Sequence, residues 1–174
     1  MKRRPFARAD PTASRDAERV ARQKRWEEVE LPRWKAEVRA ETERRGLAGF
    51  MNDARWRALI EAVHADLPFP PGFQLKPVTG EADPEPDATA LAYWGAWDEL
   101  QPFFAVEWLR VVPRYRKHRG RLAADEIVDC TDAFRALLRR LRIPFREDGA
   151  RTFWIFGYAS ADPATLTSLP ETPT

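Results

Sequence analysis

The chain has one cysteine in 174 residues, Cys130, so it can close no disulfide within itself. Two histidines, His64 and His118, are too few to complete the usual Cys/His zinc frameworks with it. Glycine is scarce, at 8 residues, and no Gly-x-Gly or Gly-Lys-Ser/Thr spacing occurs. Backbone cradles for phosphate depend on such glycines, so the familiar nucleotide-binding fingerprints are excluded. The Gly-x-Ser-x-Gly turn that presents a hydrolase serine is missing too. No run of about 20 apolar residues is present, the length a helix needs to span a bilayer. The basic opening Met1–Pro5 leads into no apolar stretch, so no secretory leader is expected, and the expected compartment is the cytoplasm. No cofactor, bound metal or membrane association is expected.

What is present is aromatic and charged. Seven Trp and ten Phe supply large apolar surfaces for a core. The formal charge of +2 hides an asymmetry: residues 1–50 carry 14 Lys/Arg against 9 Asp/Glu, and residues 51–174 carry 15 against 18. The basic character therefore lies in the N-terminal arm. Its cations are interleaved with Glu and Asp, which favours a solvated helix laced with local ion pairs over a surface held open for a polyanion.

Residues 1–30 read as a charged arm, partly disordered or helical, with a helix from about Arg15 capped by Thr12 or Ser14. Pro32 suits the first turn of a second helix, which Gly46 should stop. The clearest helix is Asn52–Asp66, where Trp56, Leu59, Ile60, Val63 and Leu67 form one stripe beneath an Asn52 cap. The run Leu67–Gly72 ends it. Phe73–Val78 reads as a short strand and Gly80–Thr89 as an acidic surface loop. Phe103–Val112 is apolar on both parities, as a central strand should be. Arg114–Arg121 reads as a loop or hairpin tip, with Ile127 and Val128 returning as a strand. A helix from about Thr131 to Arg142 carries Phe134, Leu137, Leu138 and Leu141 inward. Ile143–Phe145 and Arg151–Tyr158 are strands joined at Asp148-Gly149, a two-residue hairpin signal. Residues 161–174 read as a disordered tail. The order implies an α+β fold: residues 31–160 form a single domain, a mostly antiparallel sheet of about four to five strands with helices on one face, behind the charged arm.

The stretch Gly46–Trp56, with its Met51-Asn52 and Trp56, is followed by Trp94-Gly95-Ala96-Trp97, Glu107-Trp108-Leu109, Ile143-Pro144-Phe145 and Phe156-Gly157-Tyr158. In this order over roughly residues 40–160, the set resembles a family of small bacterial proteins defined only as a domain of unknown function. The resemblance implies a bacterial source and these domain limits, and it assigns no site.

Several residues merit weighing for chemistry. Cys130 precedes a helix, a position that can lower a thiol's pKa, but Asp129 and Asp132 oppose that shift, and a plain buried thiol is the favoured reading. Glu81, Asp83, Glu85 and Asp87 alternate as in a calcium loop, yet without its central glycine and closing Glu they read as a solvated acidic loop. Glu107, alone in an apolar strand, should be paired with Arg110 or with an arginine from a helix.

The sharpest surface feature is the basic run Arg114, Tyr115, Arg116, Lys117, His118, Arg119 and Arg121. Its cations could meet phosphates while Tyr115 stacks on a base, or they could meet an acidic protein. The bland alternative is a loop paired with residues 81–87 or with Asp125 and Glu126. Tyr93, Trp94, Trp97 and Trp108 are mainly core candidates, but Trp94 and Trp97 would anchor an interface if they flanked a groove. The resulting expectation is a non-catalytic module recognising a protein partner, with Glu81–Asp87 and Trp94/Trp97 at the interface. Toxin-neutralising immunity proteins are an analogy of this kind. Nucleic-acid binding through residues 114–121 and the arm is the alternative.

Overall fold

A computed structural model describes residues 11–83, 96–120 and 124–160, the side chains of 11–14 and 17 excepted. The chain divides into two compact units, Met1–Glu37 and Val38–Thr174.

In the first unit, α1 (Pro11–Arg25) runs through a π-helical turn, Trp26–Glu30, into α2 (Leu31–Arg44). Two separate helices were the expectation, and the helical path is continuous instead. Pro32 brings no N–H and would clash with the carbonyl one turn back. The wider turn relieves this: the Leu31 N–H donates to the Trp26 carbonyl, five residues back. Thr12 and Ser14 lie inside α1 rather than at its cap, because Pro11 itself suits a first turn. Trp26 meets Trp34 edge to face, with centroids 6.1 Å apart.

The second unit is the α+β body. Gly46, at φ 62°, ends α2 in the left-handed conformation its missing side chain permits. β1 (Leu47–Gly49) follows, then α3 (Asp53–Asp66), whose Asn52 side chain accepts the Arg55 N–H at 2.9 Å. The main sheet is four-stranded and antiparallel in the order β2 (Gly72–Pro77), β3 (Val106–Val112), β7 (Phe153–Phe156), β6 (Phe145–Glu147). Two ribbons accompany it: β4 (Arg114–Lys117) with β5 (Glu126–Asp129), and β1 with β8 (Tyr158–Ser160). Helix α4 (Thr131–Arg140) shares the core with α3. Trp56, Leu59 and Val63 of α3 and Phe134, Leu137 and Leu138 of α4 bury against Leu109, Val111, Phe153 and Ile155. An Arg140–Asp66 ion pair ties the two helices at the surface.

Three local expectations change. Phe103–Ala105 is a 3₁₀ turn, so β3 begins at Val106. Ile143 is buried and β6 starts only at Phe145, since Pro144 has no N–H to give a ladder. The β6–β7 connection is not a two-residue turn: Asp148 and Thr152 still pair, at 3.0 Å, and the left-handed position falls on Arg151, φ 57°, rather than on Gly149. The Asp148 carboxylate accepts the Ala150 and Thr152 N–H groups, both at 3.0 Å, and stabilises this longer turn.

A bulge shapes the sheet next to β8. Lys76 pairs with Trp108 and Pro77 with Val106, which leaves Glu107 extra. The Gly157 N–H donates to the Glu107 carbonyl at 2.8 Å where the chain turns from β7 into β8. A Cβ on Gly157 would lie 2.1 Å from the Val106 oxygen, so the close approach requires glycine.

Candidate binding surface

The basic run folds into the β4–β5 ribbon, where its charge is answered locally. Arg116 pairs with Asp125 at 3.9 Å and Arg119 with Glu126 at 3.9 Å. The His118 ring nitrogen lies 2.9 Å from Asp125. Arg114 donates to the Ala150 carbonyl at 2.7 Å. Tyr115 packs edge-on against Phe69, with centroids 4.7 Å apart, so its ring is already engaged. Of the expected acidic partners, Asp125, just before β5, and Glu126, its first residue, make the acidic contacts. Lys117 is exposed on the same ribbon. Arg121 lies outside the described residues, as do Trp94, Tyr93, Glu85 and Asp87.

Trp97 is not an exposed anchor. It is 1% exposed, its Nε1 donates to the Pro71 carbonyl at 2.7 Å, and Phe73 and Phe134 meet it edge to face. A large ring with its one polar atom satisfied belongs to the core. Beside it, Phe73, Leu75, Ala96, Glu99 and Leu100 line a shallow cleft of about 180 Å³. Asp83 binds the edge of β2, exchanging a backbone bond of 2.8 Å and a side-chain bond of 3.2 Å with Leu75.

Glu107 is paired, with an arginine that follows a helix and lies outside it. The bulge turns it toward Arg45, just past the end of α2, which donates twice, at 2.6 and 2.8 Å. Lys76 adds a third contact at 3.5 Å and donates to the Pro77 and Gly80 carbonyls, both at 2.8 Å. The bonds from Glu107 hold the Arg45 guanidinium above its ordinary pKa against the cost of burial. On the helix side, Arg135 forks onto Glu147 at 2.5 and 2.7 Å and reaches Asp132 as well.

Cys130 is buried at the start of α4, and burial, with the Asp129 charge adding to it, pushes the thiol up to about 11. A thiol so held is protonated at neutral pH. His64 lies against Asp98 and His118 against Asp125, and neither hydrogen-bonds Cys130. Among the described residues no group of three or more His, Cys, Asp or Glu is placed to hold a metal ion, and no helix is long and apolar enough to cross a membrane.

The sheet face turned away from α3 and α4 brings together residues that the sequence did not group. Strand alternation puts Trp108, Arg110, Trp154 and Arg146 there, and the register sets Arg110, Trp154 and Arg146 side by side across β3, β7 and β6. The guanidinium of Arg110 lies 5.5 Å and that of Arg146 5.4 Å from the centre of the Trp154 ring. Trp108 meets Trp154 at 4.8 Å, edge to face. All four side chains are half-buried. Burial lowers the pKa of the Arg146 guanidinium, with Asp148 pulling the other way. Among the described residues, the Nε and Nη1 of Arg146 are buried without a hydrogen-bond acceptor. In the sequence Trp108 sits in a stretch apolar on both parities, and only strand order and register bring Arg110, Trp154 and Arg146 together beside it.

No curated protein and no solved structure matches the chain significantly. A family model described as a family of unknown function covers residues 38–162, most of the α+β unit, and the chain belongs to that family, DUF6678.

Proposed function

We propose that the protein is a non-catalytic binding module that recognises a protein partner through the sheet face bearing Trp108, Arg110, Trp154 and Arg146. The observation that carries this reading is the cross-strand row Arg110–Trp154–Arg146, two guanidinium groups gathered at one half-buried indole. Tryptophan and arginine are the residues that most often carry interface energy, because each combines a large contact area with directed polar groups. A position on paired strands also holds them rigid, which lowers the ordering cost of binding. Cys130 and Glu107 are engaged elsewhere, one as a buried thiol and the other in an ion pair, which supports a binding role over catalysis.

A bacterial cytoplasm is the setting that fits the resemblance noted in the sequence and the single cysteine. The nucleic-acid reading through residues 114–121 draws less support, because Arg116, His118 and Arg119 already face Asp125 and Glu126 and Phe69 occupies Tyr115.

The test is affinity capture by the tagged full chain from lysate of its own cells, treated with nuclease, for the wild type and for Trp154→Leu. The reading expects one stoichiometric protein with the wild type and its loss from a folded Trp154→Leu. Equal capture by both, or recovery only of nucleic acid that high salt removes, would refute it.

A further inference from the structure

The Arg146 guanidinium combines two features that rarely coexist in a settled structure. Its Nε and Nη1 are buried and, among the described residues, have no acceptor. Buried donors are nearly always satisfied, because leaving one unmade forfeits its hydration with nothing in return, and more so when the group is charged. The carboxylate nearest in charge, Asp148, has one oxygen committed to the Ala150 and Thr152 N–H groups and the other 3.5 Å from the Trp154 Nε1. The second carboxylate near this face, Glu107, is held by Arg45 and Lys76. On the same strand Glu147 points to the opposite face and is taken by Arg135. Among the described residues, the acids on and beside β6, Glu147 and Asp148, are therefore engaged, while Arg146 retains unmet donors.

We infer that Arg146 is the anchor for a carboxylate on an acidic segment of the partner, laid along the face of β3, β7 and β6. The inference rests on the binding-module reading above and names the chemistry of its partner. A guanidinium donates to carboxylate oxygens in a matching plane, and Arg110 lies on the other side of the indole. A protein occupant fits better than single-stranded nucleic acid. Base recognition on a sheet uses aromatic rings open for stacking, whereas Trp154 is flanked by a guanidinium from each neighbouring strand. Residues 51–174 also carry 15 Lys/Arg against 18 Asp/Glu, which repels a continuous polyanion while leaving room for a short acidic segment at one basic spot.

The experiment titrates the full chain with a hexaglutamate peptide and, separately, with single-stranded oligothymidylate, following tryptophan fluorescence. Hexaglutamate should bind saturably and lose affinity as salt rises, with oligothymidylate weaker. Arg146→Gln should weaken hexaglutamate by roughly tenfold or more, and Arg146→Lys, which keeps the charge without the fork, by less. Thermal melts matching the wild type would show that both variants are folded. Unchanged hexaglutamate affinity in a folded Arg146→Gln, no hexaglutamate binding at all, or tighter binding of oligothymidylate would overturn the inference. Capture of a protein by the wild type but not by Trp154→Leu, together with silence toward hexaglutamate, would remove the acidic segment and leave the binding module standing.

Discussion

The β4–β5 ribbon carries its cations in one run and answers them at the start of its own return strand, with Asp125 and Glu126 facing Arg116, His118 and Arg119. The sheet face carries Arg110 and Arg146, far apart in sequence, on either side of Trp154, and among the described residues leaves buried donors of Arg146 without an acceptor. The first arrangement is dense, exposed and locally matched. Exposed pairs of that kind contribute about 0–1 kcal/mol each, since water and salt screen them. The second is sparse and half-buried, where an unmet charge weighs more. Density of charge along the chain is therefore a poor guide to which charges await a ligand.

The comparison depends on an intact sheet, and the largest effects should come from removing its support. Trp97→Ala deletes a fully buried ring and its bond to Pro71, and should cost about 4 kcal/mol in chemical denaturation. A change under 1 kcal/mol would return Trp97 to the surface. Gly157→Ala places a methyl against the Val106 carbonyl beside the bulge and should cost about 3 kcal/mol, read as a lowered denaturant midpoint. Glu107→Ala strands Arg45, whose side chain is 30% exposed, and should cost about 2 kcal/mol by the same measurement. Arg116→Gln with Arg119→Gln, which strips cations from the ribbon, should change stability by less than about 0.5 kcal/mol and leave partner capture intact.

A pH titration sharpens the picture independently. The folded Cys130 thiol titrates at about 11 against an ordinary 9.0, so the folded state holds the proton more tightly than the unfolded chain. Its stabilising contribution should be complete below pH 9.0 and decline as pH rises from 9.0 through about 11. Cys130→Ser should reduce that alkaline decline, measured as the denaturant midpoint against pH.

Much of the scaffold was legible because its signals are local. The stripes of α3 and α4, the Asn52 cap and the Gly46 stop follow from spacing and side-chain chemistry within a turn or two. So did the pairing of Glu107 with a cation, since a carboxylate in an apolar strand demands one, although the partner, Arg45, follows α2 instead of lying in it. The pairing of β1 with β8, the bulge at Glu107 and the row through Trp154 were not legible. Each depends on register between strands distant in sequence, and a one-residue shift would turn every side chain to the other face. The continuous helix past Pro32 escaped for another reason: its π turn leaves no signature in apolar spacing.

The most direct measurement compares the full chain, Arg146→Gln and the ribbon pair Arg116→Gln/Arg119→Gln in one nuclease-treated affinity capture, with folding verified for each. The account predicts that the ribbon variant retains the partner at wild-type yield and that Arg146→Gln loses it. Retention by Arg146→Gln with loss from the ribbon variant would contradict it and place the working surface on β4–β5.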